Sequence, residues 1–555
     1  MDYTQTFQIS IYLNNDIHDN GMTLKEYADA VLAGTHPILG HDEFNYQFGT
    51  TDENMKLVSD WAISNNLNII SAESAIATIK VQGTLGQLCN LFSVTVEEIV
   101  DDARTYIKNT TPVVVPTTIA SAVRDLFGFD QSFIAINHAV QHDGSAPDLG
   151  SSYGSSAVTP IQMCTAYGAP TGDGYGGCIG IFELTYSGSP EGWQQPDVTA
   201  SFSRIGLSSP SITTVLVDGV TLNSTSTAES MLDIYCAGAA APKAKIVYYI
   251  GQNGGSLTDV INAAVNDTTN NPDVLSISWG LGDGTSLDTA FQACVAKGIT
   301  VFVSSGDSGA VNLNMAATVC SQYVVSAGGT NVTLNGSNQL TAEVGWGNSA
   351  GTGQGGGGGS GGASGGGMSA SIAVPSWQTG LKYTTTTGSN TSGLGTATAL
   401  TYRGVPDISA PADPSTGYQF YVGGTSSAQG SFVQYGGTSA AAPFLAGLWV
   451  RLIRLLGYRI PFNMATFYSN SVSQSGVIPS LNLCNDVTTG NNRDGYTTGY
   501  VSTTGWDAVT GLGSPAASNI YRYFHTGSTF PKKNFGFRST TGPAYPRITT
   551  GVRVD

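Results

Sequence analysis

The sequence predicts an α/β protein in which a parallel sheet covered by helices follows a small α+β domain. The main observation is a set of nearly continuous apolar runs after residue 157, as in strands buried on both faces. They lie at 179–184, 245–250, 274–279, 300–305 and 323–327, and helical stretches at 228–240, 257–267 and 286–297 fall between or beside them. Strands that alternate with helices in this way are typical of a parallel sheet.

The first 141 residues follow a different pattern. Residues 5–13 alternate between apolar and polar side chains, as a half-buried strand does. Helical periodicity occurs at 23–32, 53–65 and 84–92, and strand-like runs lie at 67–71 and 75–82. Interleaved helices and strands over this length predict a separate α+β domain at 1–141.

Residues 142–156 are rich in Asp, Gly, Ser, Ala and Pro, a composition typical of a flexible linker. We expect this linker to be cleavable and to separate residues 1–141 from a main domain at 157–524. Residues 525–555 carry several Lys and Arg residues, and a loosely ordered tail of unknown role is the expectation there.

Charge and composition exclude several classes of partner. The chain has 22 Lys and Arg against 39 Asp and Glu, and the net charge of −17 argues against nucleic acid and anionic membranes. Residues 2–20 are largely polar and do not resemble a secretory signal. The apolar stretch at 444–458 contains two arginines and is too short to span a bilayer. No two of the seven cysteines have Cys-x-x-Cys spacing, so a zinc site is not expected, and we predict a soluble protein.

Ser439 is the candidate nucleophile. It lies in the run Tyr-Gly-Gly-Thr-Ser-Ala-Ala-Ala-Pro at 435–443, where two glycines permit a tight turn. The apolar stretch from Ala440 to Leu456 predicts a buried helix, and Pro443 fits its first turn. The free N–H groups and positive dipole end of a helix N-terminus favour developing negative charge. The alternative is a serine that only caps the helix.

The base that could take the Ser439 proton cannot be a histidine of the same domain. The six histidines lie at 18, 36, 41, 138, 142 and 525, which excludes a Ser-His-Asp triad within 143–524. Glu229 and Asp233 stand four residues apart and share one face of a predicted helix. Two close carboxylates usually hold one proton between them, so this pair could accept a proton in mild acid. A capping box with Ser226 is the alternative for Glu229, but it leaves Asp233 unexplained.

A third acid, Asp307, follows the strand at 300–305, and sites in open α/β sheets lie at such strand ends. A carboxyl kept protonated there can donate a hydrogen bond to an oxyanion. The alternative is an ordinary turn residue between glycines. The glycine-rich segment at 353–367 could be a linker, but its position within the domain favours a surface loop near the substrate cleft.

With these residues in place, the chain resembles the sedolisin family of serine-carboxyl peptidases, and in particular its kumamolisin-like members. The Gly-Gly-Thr-Ser-x-x-x-Pro run, the Glu-x-x-x-Asp pair and the Ser-Gly-Asp-Ser-Gly run occur in that family's order, and runs at 276–280, 403–410, 413–418 and 505–515 also match. The resemblance covers roughly residues 5–524 and implies a subtilisin-like main domain after a ferredoxin-like prodomain. It implies that Ser439 is the nucleophile, Glu229 its general base, Asp233 the group that orients Glu229 and shares its proton, and Asp307 the oxyanion donor.

The resemblance also implies supporting residues and one structural calcium ion. Glu183 and Trp279 match positions that extend the hydrogen-bonded chain in kumamolisin-like enzymes. They could equally be a strand-end glutamate and a core tryptophan. The implied calcium ligands are the carboxylates of Asp486 and Asp507 with the main-chain carbonyls of Val487, Thr503 and Gly505. This oxygen set suits Ca²⁺.

The predicted function is therefore that of an acid-acting endopeptidase made as a self-processing zymogen. Its expected partners are protein or peptide substrates and its own prosegment, an intramolecular inhibitor at 1–141, and we expect a monomer. With reference carboxyl pKa values near 4, we expect an activity optimum at roughly pH 3 to 5. Two alternatives stay open: a tripeptidyl-type exopeptidase with the same chemistry, and an inactive binding or structural protein on this scaffold. The chemistry favours secretion or an acidic compartment, although the sequence leaves the location undetermined.

Overall fold

A computed structural model of the protein describes residues 1–527, apart from residues 16–20, 101–104, 143–156, 186–190, 281–284, 311–313, 316–317, 348–361, 387–394, 424–429, 463, 472–481 and 495–498. Its two largest sheets are a four-stranded antiparallel sheet near the N-terminus and an eight-stranded, mainly parallel sheet after residue 157. The predicted fold class is thereby confirmed. The predicted linker from residue 143 and the predicted tail from residue 528 lie outside the described residues.

The N-terminal domain has helices on a small sheet of strand order β2-β3-β1-β6. Thr23, Thr51 and Thr84 each accept a hydrogen bond from the backbone N–H three residues on, so three helices begin where a threonine can cap them. The strand order is compatible with the ferredoxin-like arrangement, which stays a prediction. The elements are β1 (Thr6–Leu13), α1 (Leu24–Leu32), α2 (His41–Phe48), α3 (Asp52–Ser64), β2 (Asn68–Glu73), β3 (Thr78–Thr84), α4 (Leu85–Leu91), β4 (Val96–Val100), β5 (Thr105–Asn109) and β6 (Val123–Phe127).

Two short strands follow, β7 (Ile136–Asn137) and β8 (Val140–Gln141). The main domain then contains α5 (Pro160–Ala166), β9 (Cys178–Leu184), α6 (Gln195–Arg204), β10 (Ile212–Leu216), α7 (Ala228–Ala240), β11 (Lys245–Gly251), α8 (Leu257–Asn266), β12 (Val274–Ile277), β13 (Trp279–Gly280), α9 (Thr285–Ala296), β14 (Thr300–Ser304), β15 (Asn314–Met315), β16 (Val325–Leu334), β17 (Leu340–Gly345), β18 (Gly367–Ala373), β19 (Lys382–Tyr383), β20 (Thr398–Ala399), β21 (Tyr402–Val405), β22 (Ile408–Pro411), β23 (Tyr418–Val422), β24 (Ser431–Gly436), α10 (Thr438–Leu456), α11 (Met464–Ser469), β25 (Cys484–Asn485), β26 (Ser514–Pro515) and α12 (Ala517–Arg522).

The central sheet has the order β10-β11-β9-β12-β14-β16, with all neighbours parallel. β22 joins β16 in parallel and β17 joins it antiparallel. Every residue of β9 and β14 is buried, which explains their continuous apolar character. The carboxyl ends of β9, β12 and β14 therefore meet at one edge of the sheet.

Helices α7 and α10 pack closely on this sheet because small residues face each other. A Cβ on Gly447 of α10 would lie 2.4 Å from the Ala237 carbonyl oxygen of α7, so only glycine permits this approach. α10 is long and apolar enough to cross a membrane, yet 78% of its apolar window is buried in the fold, as in a core helix. The contact brings the first turns of the two helices together at the sheet edge.

Three sequence predictions need correction. The strand predicted at 274–279 is interrupted at Ser278, because the Ser278 carbonyl accepts hydrogen bonds outside the sheet. α10 begins at Thr438, which places Pro443 beyond its first turn. Residues 362–367, predicted as part of a surface loop, are buried apart from the partly exposed Gly362 and bond to the backbone beside Asp307, while residues 353–361 lie outside the described part.

Candidate active site

Ser439 lies in the first turn of α10 and is fully buried. The cap residue is Gly437, whose φ of +91° is readily adopted only by glycine, so Ser439 does not cap the helix itself. Pro443 has no N–H for the Ser439 carbonyl, and the Ser278 hydroxyl lies 3.3 Å from that carbonyl instead. The Ser439 hydroxyl donates to the Ser278 carbonyl at 3.1 Å.

A segment of the N-terminal part of the chain runs across Ser439. β7 pairs antiparallel with β13, and β8 pairs antiparallel with β24, so residues 136–141 lie between two strands of the main domain. His138, at the centre, donates its N–H to the Ser278 carbonyl at 3.2 Å and to Ser439 Oγ at 3.0 Å. The segment is thus bound by the main-chain pairing that an extended peptide would use.

The His138 carbonyl points into a pocket of hydrogen-bond donors. It accepts the Ser439 backbone N–H at 3.2 Å. The position that a Cβ on Gly437 would take lies 1.9 Å from this carbonyl oxygen and 2.6 Å from Asp307 Oδ2, so these two oxygens are near neighbours. The arrangement places a peptide carbonyl between a helix N-terminus and a carboxyl group, as in an oxyanion hole.

Asp307 is fixed by the start of α10. Its Oδ1 accepts hydrogen bonds from the Thr438 N–H at 2.7 Å and the Thr438 hydroxyl at 2.8 Å. Its Oδ2 is buried and has no hydrogen-bond partner among the described residues. Burial raises the pKa of Asp307 to about 7. A protonated Oδ2 could therefore donate to the neighbouring carbonyl, and the alternative of a simple turn residue does not account for these contacts.

Glu229 and Asp233 lie one turn apart on α7 and are both buried. No N–H or O–H group in the described part of the chain makes a hydrogen bond of good geometry to either Glu229 oxygen. Burial and then the Asp233 charge raise the pKa of Glu229 well above its usual value, and the nearby Ser439 hydroxyl opposes this rise. The α7 cap is Thr227, so the capping box with Ser226 does not form.

Asp233 is held by a residue that the sequence analysis does not single out. The Ser278 hydroxyl lies 2.8 and 3.0 Å from the two Asp233 oxygens. Burial and the Glu183 carboxyl raise the pKa of Asp233. Glu183, at the end of β9, accepts the Trp279 indole N–H at 2.9 Å, so a hydrogen bond joins these two side chains. A further buried acid, Glu191, accepts hydrogen bonds from the Thr227 and Ser230 hydroxyls.

The site therefore unites the six predicted side chains Ser439, Glu229, Asp233, Asp307, Glu183 and Trp279 at one sheet edge. Sequence reasoning missed Ser278, Thr438, Glu191 and the inserted His138. Ser278 stands in the Ser-Ile-Ser-Trp-Gly run at 276–280, directly before Trp279, and that position is a signal that could have identified it.

The predicted metal loop near the C-terminus is also assembled. Asp507 is fully buried and accepts N–H groups from Thr503, Val509 and Thr510 at 2.9 to 3.0 Å. Asp486 Oδ2 accepts the Gly505 N–H at 3.0 Å, while its Oδ1 is buried and has no partner in the part of the chain that the structure describes. Burial, with a contribution from Asp486, raises the pKa of Asp507 to about 8.

The main-chain oxygens of this loop are available. Among the described residues, the carbonyls of Val487, Thr503 and Gly505 accept no hydrogen bond. Within the same residues no three His, Cys, Asp or Glu side chains form a metal-binding group, so any cation here would be held by two carboxylates and by carbonyls.

Two models of known families match the chain. Residues 1–131 match the model of the pro-kumamolisin activation domain, and residues 219–500 match the model of the subtilase family.

Individual relatives cover from about a third to most of the chain. Kumamolisin from Bacillus sp. (strain MN-32) is 30% identical over 535 residues, which is 92% of this chain and 90% of the relative. Tripeptidyl-peptidase SED1 from Arthroderma otae is 33% identical over 208 residues, covering 35% of this chain and 27% of the relative. The solved structure of Pseudomonas sedolisin, a serine-carboxyl proteinase complexed with two molecules of pseudo-iodotyrostatin, is 28% identical, with a TM-score of 0.53 over 67% of this chain and 99% of that one.

Proposed function

Because the chain belongs to the sedolisin family of serine-carboxyl peptidases, we propose that it is an acid-acting endopeptidase made as a self-processing zymogen. The observation that carries this proposal is the His138 carbonyl, which lies beside the Ser439 N–H and the free oxygen of Asp307. The peptide bond from His138 to Ala139 thus occupies the place of a bond about to be cut. In this proposal residues 1–141 are the prosegment, residues 142–156 the linker, residues 157–524 the peptidase domain and residues 525–555 the tail. The first cut is proposed at His138–Ala139, inside the prosegment, instead of in the linker where the sequence analysis expected cleavage.

The first step joins the substrate to Ser439. The Glu229–Asp233 pair holds one proton between its two carboxyls, and Asp233 carries it when the reaction begins. The Ser439 hydroxyl turns from the Ser278 carbonyl to Glu229, gives its proton to the Glu229 carboxylate, and its oxygen attacks the peptide carbonyl carbon. The negative charge that develops on the carbonyl oxygen is stabilised by the Ser439 N–H and by the Asp307 O–H. Asp233, held by Ser278, shares protonation with Glu229 across the turn of α7.

The second half of the reaction releases both products. The carbon–nitrogen bond breaks, and Glu229 returns the proton to the leaving amine. Water then attacks the acyl ester, Glu229 takes the water proton, and Ser439 recovers a proton as the acid product leaves. Glu183 and Trp279 act as positioning residues, since their hydrogen bond fixes a carboxyl whose charge influences Glu229 and Asp233.

The acid requirement follows from the state of Asp307. Only its protonated form can donate to the oxyanion, and burial raises its pKa to about 7. Activity should therefore fall as the pH rises through about 7. The optimum at roughly pH 3 to 5 expected from reference carboxyl values stays a prediction.

The bound segment favours an endopeptidase over a tripeptidyl peptidase. A tripeptidyl peptidase binds only three substrate residues before the bond that it cuts. Here the third residue before the His138–Ala139 bond is Ile136. The chain instead continues to Ala135, whose N–H and carbonyl both bond to the Asn253 side chain at 2.9 and 2.8 Å. The main domain therefore has space and hydrogen-bonding partners for a fourth residue before the cut, which supports cleavage inside a chain.

The C-terminal loop supports a structural calcium site. Asp486 and Asp507, with the Val487, Thr503 and Gly505 carbonyls, offer only oxygen ligands, and Asp486 Oδ1 has no hydrogen-bond partner among the described residues. Hard oxygen ligands of this kind suit Ca²⁺, which would neutralise the buried Asp507 and the half-buried Asp486 and tie residues 486–487 to 503–507.

The experiment that tests the proposal follows the mass of the full-length protein after a shift from neutral pH to about pH 4. The wild type should release a fragment that ends at His138, and Ser439→Ala should stay intact. Mixing labelled Ser439→Ala protein with wild type separates cleavage within one chain from cleavage between chains. If the wild type stays whole and casein also survives, the proposal is wrong and the inactive scaffold is favoured.

A further inference from the structure

The pocket that holds the His138 side chain has a chemical character of its own. The imidazole Nδ1 lies 2.7 Å from Ser304 Oγ. The opposite edge of the ring faces Gly280, where a Cβ would lie 2.9 Å from Nε2 and 3.2 Å from Cε1. A Cβ on Gly306 would be 3.9 Å from the same two ring atoms. The pocket therefore admits a flat ring because two of its walls are bare backbone.

We propose that Ser304 is a specificity-determining residue, whose hydroxyl selects neutral histidine at the residue whose carbonyl Ser439 attacks. This inference rests on the proposed function, because the seating of the His138 carbonyl makes His138 the residue on the acyl side of the cut bond.

Ser304 is well placed for this role. It is the last residue of β14, it is buried, and in the described part of the chain its hydroxyl contacts no hydrogen-bonding atom other than the His138 ring. It also lies three residues before Asp307. The end of β14 thus positions both Ser304, which bonds to the imidazole, and Asp307, which lies near the His138 carbonyl. Binding of the His138 side chain and placement of its carbonyl are therefore coupled.

The pocket favours the uncharged ring. In the described part of the chain, Ser304 is the hydrogen-bond partner of the ring, and no carboxylate bonds to it. The acids of the surrounding elements are Asp307, whose free oxygen lies near the His138 carbonyl, and Glu229, which lies beside Ser439. Burial without a paired carboxylate lowers the pKa of His138 to about 4. A histidine in a free peptide has a pKa of about 6.5. As the pH falls from this value to about 4, the free substrate gains a proton that the pocket disfavours, so the preference for histidine should weaken.

The test uses full-length protein activated in acid and two peptides that differ only in His or Phe on the acyl side of the cut bond. Near pH 6, the ratio of kcat/KM for His over Phe should fall about three- to tenfold in Ser304→Ala, the worth of one hydrogen bond. In the wild type the same ratio should fall by up to about tenfold per pH unit below about 6. Ser326→Ala is the matched control, because Ser326 is a buried serine on the neighbouring strand whose hydroxyl has no partner among the described residues.

A second variant tests the wall of the pocket. Gly280→Ala should reduce cleavage of both the His and the Phe peptide relative to a peptide with Ala at that position. If the peptides are cut but the His/Phe ratio is the same in wild type and Ser304→Ala at every pH, the selectivity proposal is overturned and the peptidase assignment stands. If wild type cuts no peptide and behaves like Ser439→Ala, the proposed function itself is overturned.

Discussion

Buried carboxyl groups occur in two contrasting settings in this protein. In the first, Asp407 pairs with Arg403 at 2.7 Å, with both side chains fully buried, and it also accepts the Ser326 N–H at 2.9 Å and the Tyr468 hydroxyl at 2.8 Å. In the second, Glu229, Asp233 and Asp307 surround Ser439, and no salt bridge reaches them from any described residue.

The difference separates structural acids from chemical ones. A carboxylate with a buried cation keeps its charge and holds two chain segments together. Carboxyls without a cation gain protons more readily, so they can exchange them with a substrate. Burial alone does not distinguish Asp407 from the carboxyls around Ser439, because all of them are buried. The presence or absence of a cationic side chain beside the carboxyl distinguishes them.

The largest effect should come from Glu229→Gln, which removes the proposed base from the three carboxyls around Ser439 that have no salt bridge. An amide cannot accept the Ser439 proton, so we expect kcat/KM to fall about 10²- to 10⁴-fold. Peptide cleavage at about pH 4 measures this, and circular dichroism checks the fold. Activity within a factor of about two of wild type would contradict the assignment of Glu229 as base.

A substitution of Asp407, the acid paired with Arg403, should lower stability. Asp407→Asn leaves Arg403 buried without a counterion, so the free energy of unfolding should fall by about 3 to 5 kcal/mol. Urea denaturation of the Ser439→Ala background measures it without self-digestion. The exposed pair of Lys56 and Asp60 gives the control, since Lys56→Ala should change stability by less than about 1 kcal/mol. Equal losses in both variants would remove the distinction between the two settings.

Variants of Asp307 test whether a buried carboxyl without a cation controls how activity depends on pH. Asp307→Ala removes an oxyanion donor, and kcat should fall about 10²- to 10³-fold. Asp307→Asn cannot ionise, so the loss of activity through about pH 7 should disappear while a donor remains.

The same group affects stability with a defined sign. The folded protein keeps the Asp307 proton up to about pH 7, whereas the unfolded chain loses it near about 4, so stability falls as the pH rises through this interval. The thermal midpoint of Asp307→Asn should therefore exceed that of wild type at neutral pH by more than it does in acid. A constant difference across this range would show that Asp307 does not titrate as proposed.

The C-terminal loop forms an intermediate case, with acids that lack a protein cation but lie far from Ser439 in the sequence. Calcium at about a hundred times its dissociation constant should stabilise the fold by about 2.7 kcal/mol, measured as the thermal midpoint with and without a chelator. The effect should shrink as the pH falls, because protons compete for Asp486 and Asp507. Asp486→Asn should abolish the calcium response. A midpoint that ignores the chelator would exclude the site.

Much of the fold followed from local patterns. The strands at 178–184, 245–251 and 300–304 were predicted within a residue or two, because continuous burial on both faces leaves a plain apolar run. The helix of Glu229 was predicted with its bounds, 228–240. The catalytic set was nominated by residue type, by spacing along one helix, by the absence of histidine from the domain and by a family resemblance.

Tertiary structure alone decided how these groups meet. The break at Ser278, the unpaired oxygens of Glu229 and the His138 carbonyl beside Asp307 depend on contacts between residues more than 130 positions apart. No local pattern encodes such contacts, because they arise when Gly447 lets α10 approach α7 and when β13 and β24 bind an extended segment between them. Residue types and their spacing identified the side chains that could do the chemistry. Packing decided which of them lack a counterion and which peptide bond lies before Ser439.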